Sequence, residues 1–165
     1  MEVTPQFISQ IKQYSVSNKN SLNTLFNKLR RVKSKELDPL FHQFHSEVFS
    51  ELDCLDCANC CKSISPVLYE ADISRLAESL KLRVSAFKNN YVKTDMDGDY
   101  VFKQTPCPFL NSDNSCRIYA NRPKACREYP HTDRRRMYQI LDITAKNISV
   151  CPAVFLIIEK IKSKI

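Results

Sequence analysis

Apolar residues recur at helical spacing through the first fifty positions. Phe7, Ile8, Ile11 and Tyr14 share one face of a segment opened by Thr4 and Pro5, residue types suited to an N-cap and a first helical position. Leu22, Leu25, Phe26, Leu29 and Val32 form a second stripe, with Ser21 as the predicted opening residue. Leu40, Phe41, Phe44, Val48 and Leu52 form a third, predicted to follow Asp38 and Pro39 and to deliver the chain directly into Cys54. Farther on, Ile73, Leu76, Ala77 and Leu80 predict a short amphipathic helix, and Val84, Phe87 and Tyr91 another. The pattern then changes. Asp97-Gly98 before YVF predicts a turn into a short strand, and YQILDIT at 138–144, rich in β-branched and aromatic residues, predicts a second strand. Pro152 opens a last helix over AVFLIIEKIKSKI.

These elements predict a mainly α fold with a small β component, as one domain over residues 1–165. A helical lead-in (1–52) is expected to pack on a compact cysteine-rich metal-binding domain (53–152), followed by a C-terminal helix (153–165). No repeat, low-complexity tract or long linker divides the chain. With 165 residues, 43% of them hydrophobic, the chain can bury a core without covalent staples. No apolar run approaches the roughly 20 residues of a membrane span, and the start MEVTPQFISQIKQ lacks the apolar stretch of a secretory signal, so the expected location is cytoplasmic. Gly98 is the only glycine. That excludes a phosphate-cradling P-loop and a Rossmann fingerprint, both of which need several glycines, and no GxSxG elbow is present.

The cysteines carry the chemistry. CLDCANCC places Cys54, Cys57, Cys60 and Cys61 within one short run, and Cys107, Cys116, Cys126 and Cys151 complete a total of eight. In a reducing compartment that number points to metal or redox chemistry rather than disulfides, and eight thiols make two sets of four, the number a tetrahedral thiolate site takes. Neighbouring side chains diverge by about 100° in a helix and point to opposite faces in a strand, so Cys60 and Cys61 are expected to serve different sites. Cys54, Cys57 and Cys60 have the C-x2-C-x2-C spacing of a ferredoxin loop, whose last ligand is a remote cysteine before proline. Both Cys107-Pro108 and Cys151-Pro152 qualify. Whichever is left over joins Cys61, Cys116 and Cys126 in a second set. Spacing leaves an iron–sulfur cluster and Zn²⁺ both open, with the triplet favouring iron–sulfur.

Cys151, just before Pro152, is expected at the N-cap of the last helix, where amides and the macrodipole stabilise a thiolate. Arg117, Arg122 and Arg127 flank Cys116 and Cys126 and are candidates to offset thiolate charge or donate to sulfur. His42, His45 and His131 are read as ordinary histidines because four thiolates complete a site, with His131 the strongest exception. Tyr119, Tyr129 and Phe109 are read as core around the site.

The formal charge of +7 counts every thiol as neutral. Two four-thiolate sites, each holding one Zn²⁺ or one oxidised four-iron cluster, would each carry about −2 and leave about +3. The clusters Arg30, Arg31, Lys33, Lys35 and Arg134–Arg136 are then solvated faces rather than a nucleic-acid surface, the second also offering a patch for an acidic protein partner.

CLDCANCC, CPFL at 107–110, CRIYANRPKACREYP at 116–130 and the final CP at 151 together resemble, in order, the CxxCxxCC cysteine-cluster family, described as a zinc- or iron-chelating domain. The resemblance runs from Cys54 to Pro152 and implies metal binding through all eight cysteines. Many members have glycine two positions before the CC pair, where this chain has Ala58. The family includes a domain similar to that in flagellin lysine N-methylase, associated with an iron–sulfur cluster and S-adenosylmethionine. The C-x2-C-x2-C run differs from the C-x3-C-x2-C loop of radical S-adenosylmethionine enzymes. Three functional classes are compatible with the sequence: a cluster-dependent redox or transferase enzyme, a zinc-stabilised interaction module, and a metal storage or delivery protein.

Overall fold

The computed structural model describes residues 3–165. In chain order the helices are α1 (Pro5–Ser17), α2 (Lys19–Leu29), α3 (Ser34–Phe49), α4 (Cys54–Cys57), α5 (Asn59–Ser63), α6 (Glu70–Ser79), α7 (Val84–Tyr91), α8 (Lys124–Glu128), α9 (Leu141–Asn147) and α10 (Pro152–Lys162). The strands β1 (Val92–Thr94) and β2 (Tyr100–Phe102) lie between α7 and α8. The fold is mainly α with a small β component, as expected. Among the described residues no single helix is long and apolar enough to cross a membrane. Two compact units emerge, one built from the segments up to Cys57 and from Pro130 onward, the other from Ala58–Tyr129.

In the first unit, Thr4 caps α1 as expected, its Oγ1 accepting from the Phe7 amide at 3.2 Å, and Ile11 is buried. The second helix begins at Lys19 rather than at Ser21. Asn18 turns the chain there, its amide and Nδ2 both donating to the Tyr14 carbonyl, so Ser21 falls inside a helix that buries Leu22, Leu25, Phe26 and Leu29. The third helix begins at Ser34, placing Asp38 and Pro39 within it. Asp38 does not cap. Its carboxylate accepts from the amides of Arg136 (2.7 Å) and Met137 (2.9 Å) and pins a distant loop to α3, while Pro39 lies inside the helix, in its second turn, and leaves the Lys35 carbonyl without the N–H of an ordinary residue. Tyr14 donates to Glu159 Oε1 at 2.6 Å, and the Phe7 and Tyr14 rings meet Phe155 of α10 edge-on.

The strand expected at 138–144 is helical. Arg136, at φ 61°, leads into a 3₁₀ turn over Met137–Ile140 and then α9. Ile140, Leu141, Thr144 and Ile148 are buried while Tyr138 and Ile143 are exposed, a three-to-four-residue period that overrides the strand propensity of these residue types. Thr144 Oγ1 returns its hydrogen bond to the Ile140 carbonyl at 3.0 Å.

The second unit packs Leu68, Ile73, Leu76, Ala77, Phe87, Val92, Phe102, Phe109 and Ile118 into one core. Val84, predicted on the apolar face of α7, is exposed, leaving Phe87 as that helix's buried residue. The YVF strand is present. It pairs antiparallel with Val92–Thr94, Val92 opposite Phe102 and Thr94 opposite Tyr100. Gly98 takes φ 87° in the turn, where Asp95 Oδ1 accepts from the amides of Asp97 and Asp99.

Candidate metal centre

In the first unit, Cys54 and Cys57 bound the single turn α4. Asp53 supports that turn, its Oδ1 accepting from the Leu55 amide at 2.9 Å and its carbonyl from the Asp56 amide. Residues three apart lie on one side of a helical turn, so both thiols face the same way. Cys151 is the N-cap residue of α10, buried, its amide donating to the Asn147 carbonyl at 2.8 Å. Burial pushes its thiol up to about 12, against hydrogen bonds from the Val154 and Ala153 amides, and the charges of Cys54 and Cys57 push the same way. The helix amides therefore act as expected at this N-cap, but burial and like charge outweigh them. Of the two Cys-Pro candidates, it is Cys151 that lies within electrostatic reach of Cys54 and Cys57.

The second unit collects the rest. Ala58 takes a left-handed backbone, φ 46° and ψ 22°, just before α5, so the tight turn forms without a glycine. Cys60 and Cys61 follow on α5 with sulfurs 4.0 Å apart, closer than the divergence of adjacent side chains suggested. Hydrogen bonding with Cys60 draws the Cys61 thiol down to about 7, against its own burial. The Cys107 amide donates to the Cys61 carbonyl at 2.8 Å, tying CPFL to α5. Leu110 and Cys116 form an isolated bridge, and the Arg117 amide donates to the Phe109 carbonyl at 2.9 Å, joining the CPFL and CRIY segments. Cys126 lies on α8.

Burial lifts Cys107 to about 11, opposed by the Phe109 and Leu110 amides, with the charges of Cys61 and Cys116 raising it further. Burial likewise raises Cys116, opposed by the Ile118 amide and by Arg122, with Cys61 again adding to the rise. Cys126 is pushed up to about 12, by burial first and then by Cys61, Cys107 and Cys116, with Arg122 opposing. Cys61, Cys107, Cys116 and Cys126 thus form one electrostatic neighbourhood, and Cys54, Cys57 and Cys151 another. Among the described residues no three His, Cys, Asp or Glu side chains stand as a ready-made cage for a single ion.

The donor set fits a thiolate-held metal. Buried thiols that raise one another's pKa ionise only against a compensating cation. Amides two or three residues beyond Cys107, Cys116 and Cys151 already donate to the sulfurs, the kind of hydrogen bonding that orients and steadies thiolate ligands.

The three arginines singled out in the sequence occupy different places. Arg122 lies over the Tyr119 ring at 3.8 Å and is the one whose charge favours ionisation of Cys116 and Cys126. Arg127 donates to the Arg122 carbonyl at 2.7 Å, and Arg117 lies 5.7 Å from the Phe109 ring centre. His42 bonds the Arg134 carbonyl and His45 the Thr132 hydroxyl, both structural uses. Phe109 is fully buried, while Tyr119, expected in the core, is 56% exposed. Sequence reasoning missed Asp72 and Arg75, which reach the segment carrying Cys126. An acid–base pair three apart on a predicted helix was the available signal.

A small, mainly helical chain that gathers mostly half-buried thiols around short turns defines a cysteine-cluster metal-binding domain. The chain belongs to the CxxCxxCC family, described as "putative zinc- or iron-chelating domain", whose model matches residues 53–152. Comparison with curated proteins and with solved structures gives no match.

Proposed function

We propose that the protein binds metal through two sets of four thiolates and that the metal is iron, held as iron–sulfur clusters. One set is Cys61, Cys107, Cys116 and Cys126. The other is Cys54, Cys57 and Cys151, to which the C-x2-C-x2-C spacing assigns Cys60 on sequence alone. The observation that carries the reading is the grouping of Cys151 with Cys54 and Cys57. A cysteine pair at C-x2-C spacing joined by a remote cysteine before proline follows the ligand order of a ferredoxin loop. Such clusters would supply one-electron redox chemistry, and the protein then belongs among cluster-dependent redox or transferase proteins. The experiment is anaerobic purification followed by measurement of iron, zinc and acid-labile sulfide per chain. Iron and sulfide in near-equal amounts, with visible absorption bleached by a reductant, are expected. Stoichiometric zinc without sulfide would overturn the iron reading in favour of a zinc-stabilised interaction module.

A further inference from the structure

Asp72 is 2% exposed and sits in the first turn of α6. Its Oδ2 accepts from the Tyr69 amide at 3.2 Å, at the start of its own helix. Its Oδ1 accepts from Arg75 Nη2 and, at 3.1 Å, from the amide of Lys124, the first residue of α8. The same Arg75 Nη2 donates to the Arg122 carbonyl at 3.2 Å, where Arg127 Nη1 also donates. One buried carboxylate thus holds both the helix that presents Cys126 and the backbone of the arginine whose charge favours ionisation of Cys116 and Cys126. A buried carboxylate is costly unless fully bonded, and here the bonds that Asp72 makes beyond its own helix go to the Cys126 segment, directly or through Arg75.

We propose that Asp72, acting through Arg75 and the Lys124 amide, is a positioning residue for the Cys61, Cys107, Cys116 and Cys126 metal set. The proposal rests on the reading of those four cysteines as ligands. It places the control of one ligand on a helix that itself carries no cysteine.

The test uses the full chain, stripped of metal and titrated with Co²⁺, whose thiolate charge-transfer absorption reports the sulfurs bound. Asp72→Asn keeps the side-chain shape but leaves one acceptor oxygen for three donors. Lys124→Pro deletes the amide that Asp72 accepts and, besides it, only an exposed side chain whose ion pair to Glu128 spans 3.7 Å; proline suits a first helical position, and Pro123 already has the extended backbone, ψ 152°, that precedes proline. Ile73→Val serves as control, trimming the buried neighbour of Asp72 without touching α8. Both D72N and K124P should weaken Co²⁺ binding at one of two sites by about 10- to 100-fold, the usual effect of losing an outer-shell partner, and lower the charge-transfer intensity per ion there. I73V should leave that intensity unchanged. Unchanged affinity and intensity in K124P, or equal loss in I73V, would overturn the proposal. Cys126→Ser separates it from the reading beneath it: if C126S binds Co²⁺ like the natural protein, Cys126 is not a ligand and the metal-set reading falls. If C126S loses a sulfur and K124P loses nothing, only the role of Asp72 falls.

Discussion

Replacing Phe109 by alanine tests whether the second unit's core holds its thiols in register. Phe109 is fully buried and stands two positions from Cys107. Its ring meets Tyr91 at 5.0 Å and Phe102 at 5.5 Å, and its carbonyl receives the amide next to Cys116. Removing a fully buried phenylalanine costs about 3–5 kcal/mol, lost transfer energy plus the cavity left behind. Here the rigid aromatic neighbours limit collapse, so a value near 4 kcal/mol is expected. Small domains are stable by only about 5–15 kcal/mol, so the metal-free unit should lose much of its stability, with its midpoint falling by about 20 °C. Metal that binds only the folded form restores stability by mass action, about 4 kcal/mol at a thousandfold excess over the dissociation constant. The assay is thermal and urea unfolding followed by circular dichroism, with and without saturating Zn²⁺. The expected result is a large metal-free loss and its recovery by metal. A metal-free loss below about 1 kcal/mol would refute the reasoning, because no fully packed phenylalanine is removed so cheaply.

Ala58→Gly should stabilise the metal-free protein by about 0.5–1 kcal/mol in urea unfolding, since relief of the left-handed backbone exceeds glycine's added chain entropy; destabilisation would mean that the turn carries no strain. Asp38→Asn should cost about 1.5–3 kcal/mol, the range for hydrogen bonds to a charged group, because one of the Arg136 and Met137 amides would then face an NH₂ group. Burial lowers the His45 pKa, with Asp133 pulling the other way and His42 adding to the lowering. The folded state therefore resists protonation more than the unfolded chain does. The stability that follows is fully present above about pH 6.5 and is lost as pH falls below it. Urea midpoints at pH 7.5 and 5.5 should converge in His45→Gln relative to the natural protein, and parallel behaviour of the two would sink the assignment.

Helix positions were legible wherever burial follows the sequence period, as in α1, α2 and α6. What failed were assignments that depend on where a side chain's partner lies. Asp38 and Pro39 read as residues that precede a helix, yet both lie within one and the partners of Asp38 are amides about a hundred positions away. YQILDIT reads as a strand by residue type, but Arg136 enters the segment in a left-handed conformation and Met137 is pinned by Asp38, which turns the apolar residues onto one helical face. The cysteines were legible as candidates for holding metal from their number and spacing. Their grouping was not, because Cys107 and Cys151 are equivalent on paper and only tertiary structure brings Cys151 near Cys54 and Cys57. Asp72 was invisible for the same reason, its bond to Lys124 spanning 52 positions.

The backbone at Ala58 gives the CLDCANCC run its physical sense. Cys57 closes one unit and Ala58 opens the other. Were α4 and α5 one continuous helix, Cys54, Cys57 and Cys61 would fall at i, i+3 and i+7 on a single face, and all three would have to serve one site. The left-handed residue between the two short helices breaks that repeat. Cys61 lies with Cys107 in the second unit, its carbonyl accepting from the Cys107 amide, while Cys54 and Cys57 remain in the unit of Cys151. An L-residue in that conformation costs about 1–2 kcal/mol, which is small beside the 10–16 kcal/mol or so that thiolate ligation of a structural zinc contributes. A chain whose thiols are held by metal can therefore keep alanine where a glycine would be less strained.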